Sequence, residues 1–222
     1  MMKLFLGAMA KFLLGVILVG CLIFVPAGTL AFFNGWLLMG ILFVPMLLVG
    51  FILLVRNPQL LKSRLEAKEK QQEQNLVVKL SGLMFLAGFV VAGLGVRWQW
   101  YMLPKWAVMT AGAVFLAAYI LYGEVLRENT YLSRTIQVQE NQKVIDTGLY
   151  ALVRHPMYSA TLFLFLSMPL VLGSVYAFMI FLAYPVIIAK RIKHEEAFLE
   201  AELEGYRVYK QKVKYRLIPF VW

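Results

Sequence analysis

Two short clusters of ionisable side chains stand on either side of the last long apolar stretch of this sequence. Arg154 and His155 precede it and Glu195 and Glu196 follow it, whereas residues 159–189 between them contain no charged side chain. An ionisable group beside hydrocarbon is costly unless it pairs with another group or lines a functional cavity. We therefore interpret the two clusters as halves of one site that offers both signs of charge to a ligand.

The first cluster opens a helix that could hold an anion. Pro156 suits the first position of a helix, where its missing amide proton costs nothing. The exposed amides and the dipole at such a helix start favour negative charge, and Arg154 and His155 add to that preference. Taken alone, this motif is equally compatible with an interfacial anchor, and a lone histidine is more often structural than catalytic.

The second cluster lies in a segment whose pattern predicts one amphipathic helix over 190–214. Glu195 and Glu196 fall on the apolar face of that helix, where an ordinary solvated surface does not explain them. Arg191 precedes Glu195 by one helical turn, so an internal ion pair is the alternative to contact with a cationic or hydroxyl-bearing ligand. The apolar stripe comprises Ile192, Leu199, Leu203, Tyr206 and Val213.

The elements that must position these residues are membrane helices. Of the 222 residues, 61% are hydrophobic, and several apolar runs are long enough to cross a bilayer. In lipid every backbone amide needs an internal partner, and no period-two strand pattern is present, which favours helices. Six apolar segments can be drawn, at about 12–33, 35–55, 76–96, 104–123, 157–172 and 174–189.

The expected fold is therefore all-α: a polytopic integral membrane helical bundle of about five or six transmembrane helices with a C-terminal cytoplasmic amphipathic helix. The last two apolar segments are short, and the turn between them permits either a spanning or a re-entrant hairpin. With most residues in spans, no room remains for a separate soluble domain. We expect a single membrane-embedded domain over 1–222, with the N-terminal spans in 1–125 and the site in 126–222.

The distribution of basic residues predicts the orientation. All Lys and Arg residues except Arg97 and Lys105 fall on the side that also holds both termini and all 12 acidic residues. The positive-inside rule then makes the N- and C-termini cytoplasmic. The net charge of +10 describes a cytoplasmic rim suited to anionic membrane lipids, and no recognised nucleic-acid-binding module occurs, so no nucleic-acid partner is expected.

Two further features bear on the class of site. The connector at 56–75 has helical periodicity and is expected to be a solvated cytoplasmic loop. Cys21 is the only cysteine, which excludes an intramolecular disulfide, and no metal site is predicted.

The motifs that carry the two clusters also resemble a known family. They are Gly148-Leu149-Tyr150, Arg154-His155-Pro156-x-Tyr158, Glu195-Glu196-x-x-Leu199, Tyr206-x-x-Tyr209 and Tyr215-Arg216-Leu217-Ile218-Pro219. In order and spacing they are similar to the isoprenylcysteine carboxyl methyltransferase family, whose wider circle includes phospholipid N-methyltransferases. The resemblance covers about the last third of the chain. Leu149 and Ala160 depart from it, because the family usually has Pro and Gly there.

The resemblance implies an integral membrane methyltransferase that uses S-adenosylmethionine, with 126–222 as its cofactor-binding catalytic part. His155 and the helix start at Pro156 would take the anionic end of the cofactor, and Glu195 and Glu196 would take its ammonium or ribose hydroxyls. The cofactor site would also include Tyr150 and Tyr158. The implied catalytic residues are Arg154 and Glu196, and the implied acceptor contacts are Arg154, Arg191, Tyr206 and Tyr209.

The acceptor is expected to be lipophilic and to enter from the membrane. The sequence leaves its reactive group open: the carboxylate of an isoprenylcysteine-like or other isoprenoid or lipid substrate, a phospholipid amine, or a hydrophobic thiol. Two alternatives come from other classes, namely an NADPH-dependent membrane steroid or enone reductase with a similar C-terminal tail, and a non-enzymatic membrane scaffold. Adjacent carboxylates argue against the reductase, because a dinucleotide presents phosphates.

Overall fold

The chain forms helices joined by short turns. The computed structural model describes residues 2–65, 72–132, 136 and 138–222, and within these ranges it contains no strand, which confirms the expected all-α class. In chain order the helices are α1 (Met2–Ala27), α2 (Phe33–Arg56), α3 (Pro58–Leu65), α4 (Gln72–Arg97), α5 (Lys105–Glu128), a 3-10 helix (Gly148–Ala151), α6 (Pro156–Val171), α7 (Val175–Phe181), α8 (Tyr184–Glu202) and α9 (Tyr206–Lys212).

Five helical segments are long and apolar enough to cross a membrane. They are α1, α2, Asn75–Arg97 within α4, α5, and Val175–Glu202, which joins α7 and α8. Large apolar side chains point outwards from this bundle; Leu14, Ile120 and Val186 are each exposed by more than 60%. Such a surface is stable against lipid rather than water, and the protein is a multi-pass membrane protein. The cytoplasmic placement of the termini stays a prediction.

The hairpin between α6 and α7 reaches the far end of the bundle. Its turn contains Gly173 at a φ of +77°, and the Gly173 carbonyl accepts a hydrogen bond from the Leu103 amide at 2.8 Å. The Leu172 carbonyl accepts another from the Asn34 side chain at 3.3 Å. The turn therefore meets both the α4–α5 loop and the first turn of α2. Because α6 alone is about 24 Å long, this geometry favours a spanning hairpin over a re-entrant one.

Two glycines of α4 allow close packing of this helix against α7 and α1. A methyl group on Gly88 of α4 would lie 2.3 Å from the ring of Phe181, and a methyl group on Gly93 would lie 2.5 Å from the Ile23 carbonyl of α1. The missing side chains thus create the space that these neighbours fill, which is the usual role of glycine between membrane helices.

The prediction of one amphipathic helix over 190–214 is wrong. The chain is helical from Tyr184 to Glu202, turns at Gly205, and resumes as α9. Leu203 leaves the helix in an extended conformation, and Gly205, the residue before α9, has a φ of +83°, a left-handed conformation that glycine adopts at little cost. The turn folds α9 back, so that Tyr206 and Tyr209 pack with Leu203 in a small buried cluster. A lone glycine inside a helical pattern does not reveal such a stop, because helices tolerate it.

The connector between α2 and α4 is packed rather than solvated where the structure describes it. The Asn57 side chain accepts a hydrogen bond from the Leu60 amide at 3.1 Å, which caps α3. Leu60 and Leu61 are buried, so this short helix lies against the bundle. The helical part of the prediction is confirmed for Pro58–Leu65, and residues 66–71 lie outside the described ranges.

Candidate functional site

The centre of the site is the buried carboxylate of Glu196, which is 2% exposed. Its Oε1 atom lies 2.7 Å from Arg154 Nε and 3.3 Å from His155 Nε2, and its Oε2 atom lies 3.0 Å from Arg216 Nε. Lys210 Nζ is 3.9 Å from Oε2. A carboxylate surrounded by this many donors stays ionised and fixes their side chains in one geometry.

The C-terminal segment holds the first cluster in place. The backbone amides of Arg154 and His155 donate to the carbonyls of Tyr215 and Arg216, each at 2.9 Å. The guanidinium of Arg154 donates through Nη1 to the Val213 carbonyl at 2.6 Å. Residues 213–216 therefore run beside the start of α6. The first cluster and the tail motif, which are far apart in the sequence, thus form one contiguous structure.

A second group of polar contacts is centred on the hydroxyl of Tyr158. Its hydroxyl donates to Glu195 Oε2 and accepts a hydrogen bond from Arg191 Nε at 2.8 Å. The Tyr158 ring stacks on the His155 ring, with centroids 5.7 Å apart and planes at 24°. Glu195 is half-buried and Arg191 is half-buried. The two glutamates that are adjacent in sequence therefore have different surroundings: Glu196 is enclosed by protein donors, and Glu195 contacts the Tyr158 hydroxyl.

Tyrosines form the rim of the site. The Tyr209 hydroxyl donates to the Tyr150 carbonyl at 2.8 Å, and the Tyr150 hydroxyl accepts from Asn129 Nδ2 at 3.0 Å. Burial raises the pKa of Tyr150 and of Tyr209 above the ordinary value, so both phenols are neutral. The 3-10 helix that carries Tyr150 is held by Glu128, whose Oε2 accepts from the Leu149 amide at 3.0 Å.

Tyr206 is the one buried polar side chain in the described ranges whose hydroxyl has no hydrogen-bond partner. The residue is 4% exposed, and burial raises the pKa of its phenol. A buried hydroxyl without a partner costs free energy, and a ligand that supplies one removes this cost.

A cavity joins these groups into one site. Its wall includes eight of the predicted site residues: Tyr150, Arg154, His155, Tyr158, Arg191, Glu195, Tyr206 and Tyr209. Glu196 lies behind the wall, and Pro156 is fully buried at the first position of α6. The two charged clusters therefore meet, as expected for two halves of one site. Arg154, His155 and Glu195 line the cavity, whereas Glu196 does not. Asn129, Tyr131 and Gln142 also line the cavity.

Comparison with known proteins shows which family this arrangement is similar to. A family model for the isoprenylcysteine carboxyl methyltransferase (ICMT) family matches residues 100–201, a segment that contains both charged clusters. The segment that carries both charged clusters is thus similar to this family. A solved eukaryotic intramembrane Ras methyltransferase, also an isoprenylcysteine carboxyl methyltransferase, is similar in fold at a TM-score of 0.53 and 18% sequence identity. That likeness covers 85% of this chain and 74% of the other. No curated protein sequence gives a significant match.

The likeness to the solved structure shows that the two chains share the helical fold expected of this sequence. The family segment includes Tyr150, Arg154, His155, Tyr158, Arg191, Glu195 and Glu196, whereas Tyr206 and Tyr209 follow it in the chain. Within the described ranges, no group of three or more His, Cys, Asp and Glu side chains is arranged to hold a metal ion.

Two residues near the site were not predicted from the sequence to belong to it. Arg216 bonds Glu196, and its only sequence signal is its position inside the tail motif. Arg64 lies on α3, where its Nη1 is 3.6 Å from the sulfur of Met157, a residue of the cavity wall, and its Nη2 donates to the Tyr122 hydroxyl. No local motif marks Arg64, because its position depends on how α3 docks against α5 and α6.

Proposed function

We propose that this protein transfers a methyl group from S-adenosylmethionine to the carboxylate of a lipophilic acceptor, such as an isoprenylcysteine-like lipid. The observation that carries the proposal is the pairing of opposite charges around one cavity: Glu195 stands on the wall, and Arg154 and His155 stand at the start of α6. The match of residues 100–201 to a carboxyl methyltransferase family model supports the reaction class.

The donor set fits the cofactor. S-adenosylmethionine, when bound, supplies an electrophilic methyl group on a sulfonium and presents a carboxylate, an ammonium, ribose hydroxyls and an adenine. His155 and the α6 start at Pro156 would take the carboxylate, because a helix start favours an anion. Glu195 would take the ammonium or a ribose hydroxyl, beside Tyr158 and Tyr150. The partnerless Tyr206 hydroxyl would gain a hydrogen bond from a bound ligand.

Glu196 and Arg154 have a supporting role in this proposal. Both oxygens of Glu196 are engaged by protein donors, and the Arg154 guanidinium is engaged by Glu196 and by the Val213 and Lys214 carbonyls. We infer that this pair positions His155 and anchors the C-terminal segment. The activity then depends on the pair because the cavity wall depends on it, which differs from the direct contact that the family resemblance implies.

The chain needs to supply little acid–base chemistry for such a reaction. A carboxylate acceptor attacks without losing a proton, so positioning and exclusion of water provide most of the acceleration. We propose that 1–222 form a single domain, and the packing of α5 on α6 and of α4 on α7 supports this proposal. The acceptor contacts of this proposal are Arg191, Tyr206 and Tyr209, and the lipophilic acceptor would enter from the membrane.

Calorimetric titration of the detergent-purified protein tests the cofactor. We expect saturable binding of S-adenosylmethionine and no binding of NADPH, with a loss of roughly tenfold or more in affinity for Glu195→Gln. Glu202→Gln is the matched control, since Glu202 is exposed at the end of the same helix. Binding of NADPH instead would support the reductase alternative, and binding of neither would support the scaffold.

A further inference from the structure

A second cavity shares no residue with the cavity of the candidate functional site. It lies between α1, α2 and α3 and has a volume of about 210 Å³. An apolar cavity of about 150 Å³ is enough to bind benzene, so this space can take a stretch of hydrocarbon chain. Among the described residues of its wall, every side chain except that of Lys11 is apolar. The wall includes Met9, Phe12, Leu47, Phe51, Leu61 and Leu65.

The cavity opens towards lipid. Leu47 and Phe51 in its wall are 43% and 63% exposed at the surface of the bundle. Both belong to α2, a helix long and apolar enough to cross a membrane. Hydrocarbon chains rather than water therefore surround the opening.

Lys11 is the cation at the edge of this cavity. It is exposed, and its Nζ donates to the Leu65 carbonyl of α3 at 2.7 Å. From Lys11 to its last residue, Ala27, α1 rises about 24 Å, compared with roughly 30 Å for the hydrocarbon core of a bilayer. Lys11 therefore lies near one edge of the membrane, at the depth of lipid head groups. An ammonium has three N–H donors, so Lys11 can bind a phosphate oxygen and keep its contact with Leu65.

The charge on the helices that form the cavity has one sign. All five ionisable Lys and Arg side chains of residues 1–65 lie on the side predicted to be cytoplasmic, and the same residues contain no Asp or Glu. A basic protein surface next to a membrane attracts lipids with a net negative charge. The five residues are Lys3, Lys11, Arg56, Lys62 and Arg64.

We infer that this cavity binds an anionic phospholipid, with part of one acyl chain among the apolar side chains and the phosphate on Lys11. The apolar wall favours the chain, and the lysine favours a head group with a net negative charge over a zwitterionic one. The bound lipid contacts α1, α2 and α3 together. The inference does not depend on the proposed function, because no residue of the candidate functional site takes part.

Native mass spectrometry of the full chain, purified in detergent and stripped of lipid, tests the head group. The probes are phosphatidylglycerol and phosphatidylcholine with the same acyl chains. We expect the unsubstituted protein to bind phosphatidylglycerol about fivefold more tightly, which is the contribution of one lysine at a membrane surface. Lys11→Gln should reduce this preference to less than roughly twofold. Lys79→Gln is the control and should keep it, since Lys79 is exposed on α4 and lies outside the cavity.

A substitution that fills the cavity tests the acyl chain. Gly50 of α2 lines the cavity, and nothing lies within 4 Å of a methyl group added there. Gly50→Leu should weaken the binding of both lipids about tenfold, because the leucine takes the place of buried methylene groups. Gly40→Leu is the matched control: Gly40 lies on the same helix with the same open space, but outside the cavity. It should leave both affinities unchanged.

The inference is overturned if the unsubstituted protein binds the two lipids equally, if Lys11→Gln keeps the preference, or if Gly50→Leu and Gly40→Leu bind lipid alike. It is also overturned if the lipid-stripped protein forms a dimer that Gly50→Leu dissociates, since a second copy would then cover the cavity. Circular dichroism checks that each variant folds. If Gly50→Leu does not fold, Lys11→Gln decides, because Lys11 is exposed and a ratio of two affinities does not depend on the folded fraction.

Discussion

Replacing Glu196 by glutamine should destabilise the protein strongly, although the two side chains have the same shape. In the native site both carboxylate oxygens accept from arginines: Oε1 from Arg154 and Oε2 from Arg216, with His155 Nε2 3.3 Å from Oε1. The glutamine amide offers one oxygen and one NH2 group. Whichever way it turns, a donor faces a donor at Arg154 or at Arg216, and the buried positive charge loses its counter-ion.

The magnitude follows from the burial of the pair. The side chains of Arg154 and Glu196 are 5% and 3% exposed, and breaking a buried pair by removing one charge costs about 3–5 kcal/mol. The Arg216 side chain is 26% exposed, so water partly compensates its loss. We therefore expect the lower end, about 3 kcal/mol. For a chain of this size that corresponds to a decrease in the thermal midpoint of roughly 6–12 °C.

Thermal unfolding in detergent, followed by far-ultraviolet circular dichroism, measures this change. Glu195→Gln should lower the midpoint less, because Glu195 is half-buried, and Glu202→Gln should leave it unchanged. A double-mutant cycle with Arg154→Gln should show coupling, so that the double variant loses less stability than the sum of the single variants. A midpoint for Glu196→Gln within 1–2 °C of the unsubstituted protein would refute the reasoning on the buried pair (about 1 kcal/mol or less by the same scale).

Two other predictions concern the segment that leads into the site. A methyl group on Gly148 would lie 2.0 Å from Glu128 Oε1, and Gly148 has a φ of +49°. Gly148→Ala should therefore lower the free energy of unfolding by roughly 1–3 kcal/mol in the same assay. Gly82→Ala is its control, because nothing lies within 4 Å of the added methyl; equal losses would contradict the steric argument. The hydrogen bond from Lys212 lowers the pKa of Asp146, so this contact stabilises the fold at neutral pH and is lost as the pH falls through that lowered pKa. Carboxyl carbon NMR should show the pKa of Asp146 rising in Lys212→Met, and an unchanged titration would exclude the contact in solution.

The sequence located most of the candidate site because membrane physics makes charge conspicuous. Arg154 and Glu196 stand out against an uncharged stretch, and burial of both beside an apolar bundle requires that they meet. The helical class follows from the same cause, since lipid leaves backbone amides no other partner. The end of α8 could not be predicted from the sequence, because the turn that contains Gly205 depends on the buried cluster that α9 forms after the chain reverses.

Contacts between distant segments account for the remaining differences. Arg216 joins Glu196 because the C-terminal segment lies along the start of α6, and Arg64 reaches Met157 because α3 docks on the bundle. Neither follows from periodicity, which reports only the faces of one element at a time.

By itself, the sequence determined the membrane class, the helices and the residue types that can hold opposite charges, because these depend on local composition and spacing. The tertiary structure alone decided that Glu196 is enclosed while Glu195 stands on the cavity wall, since both occupy the same predicted face of one helix. What separates them is the packing of the C-terminal segment against α6, which surrounds one carboxylate with donors and leaves its neighbour facing the space for a ligand.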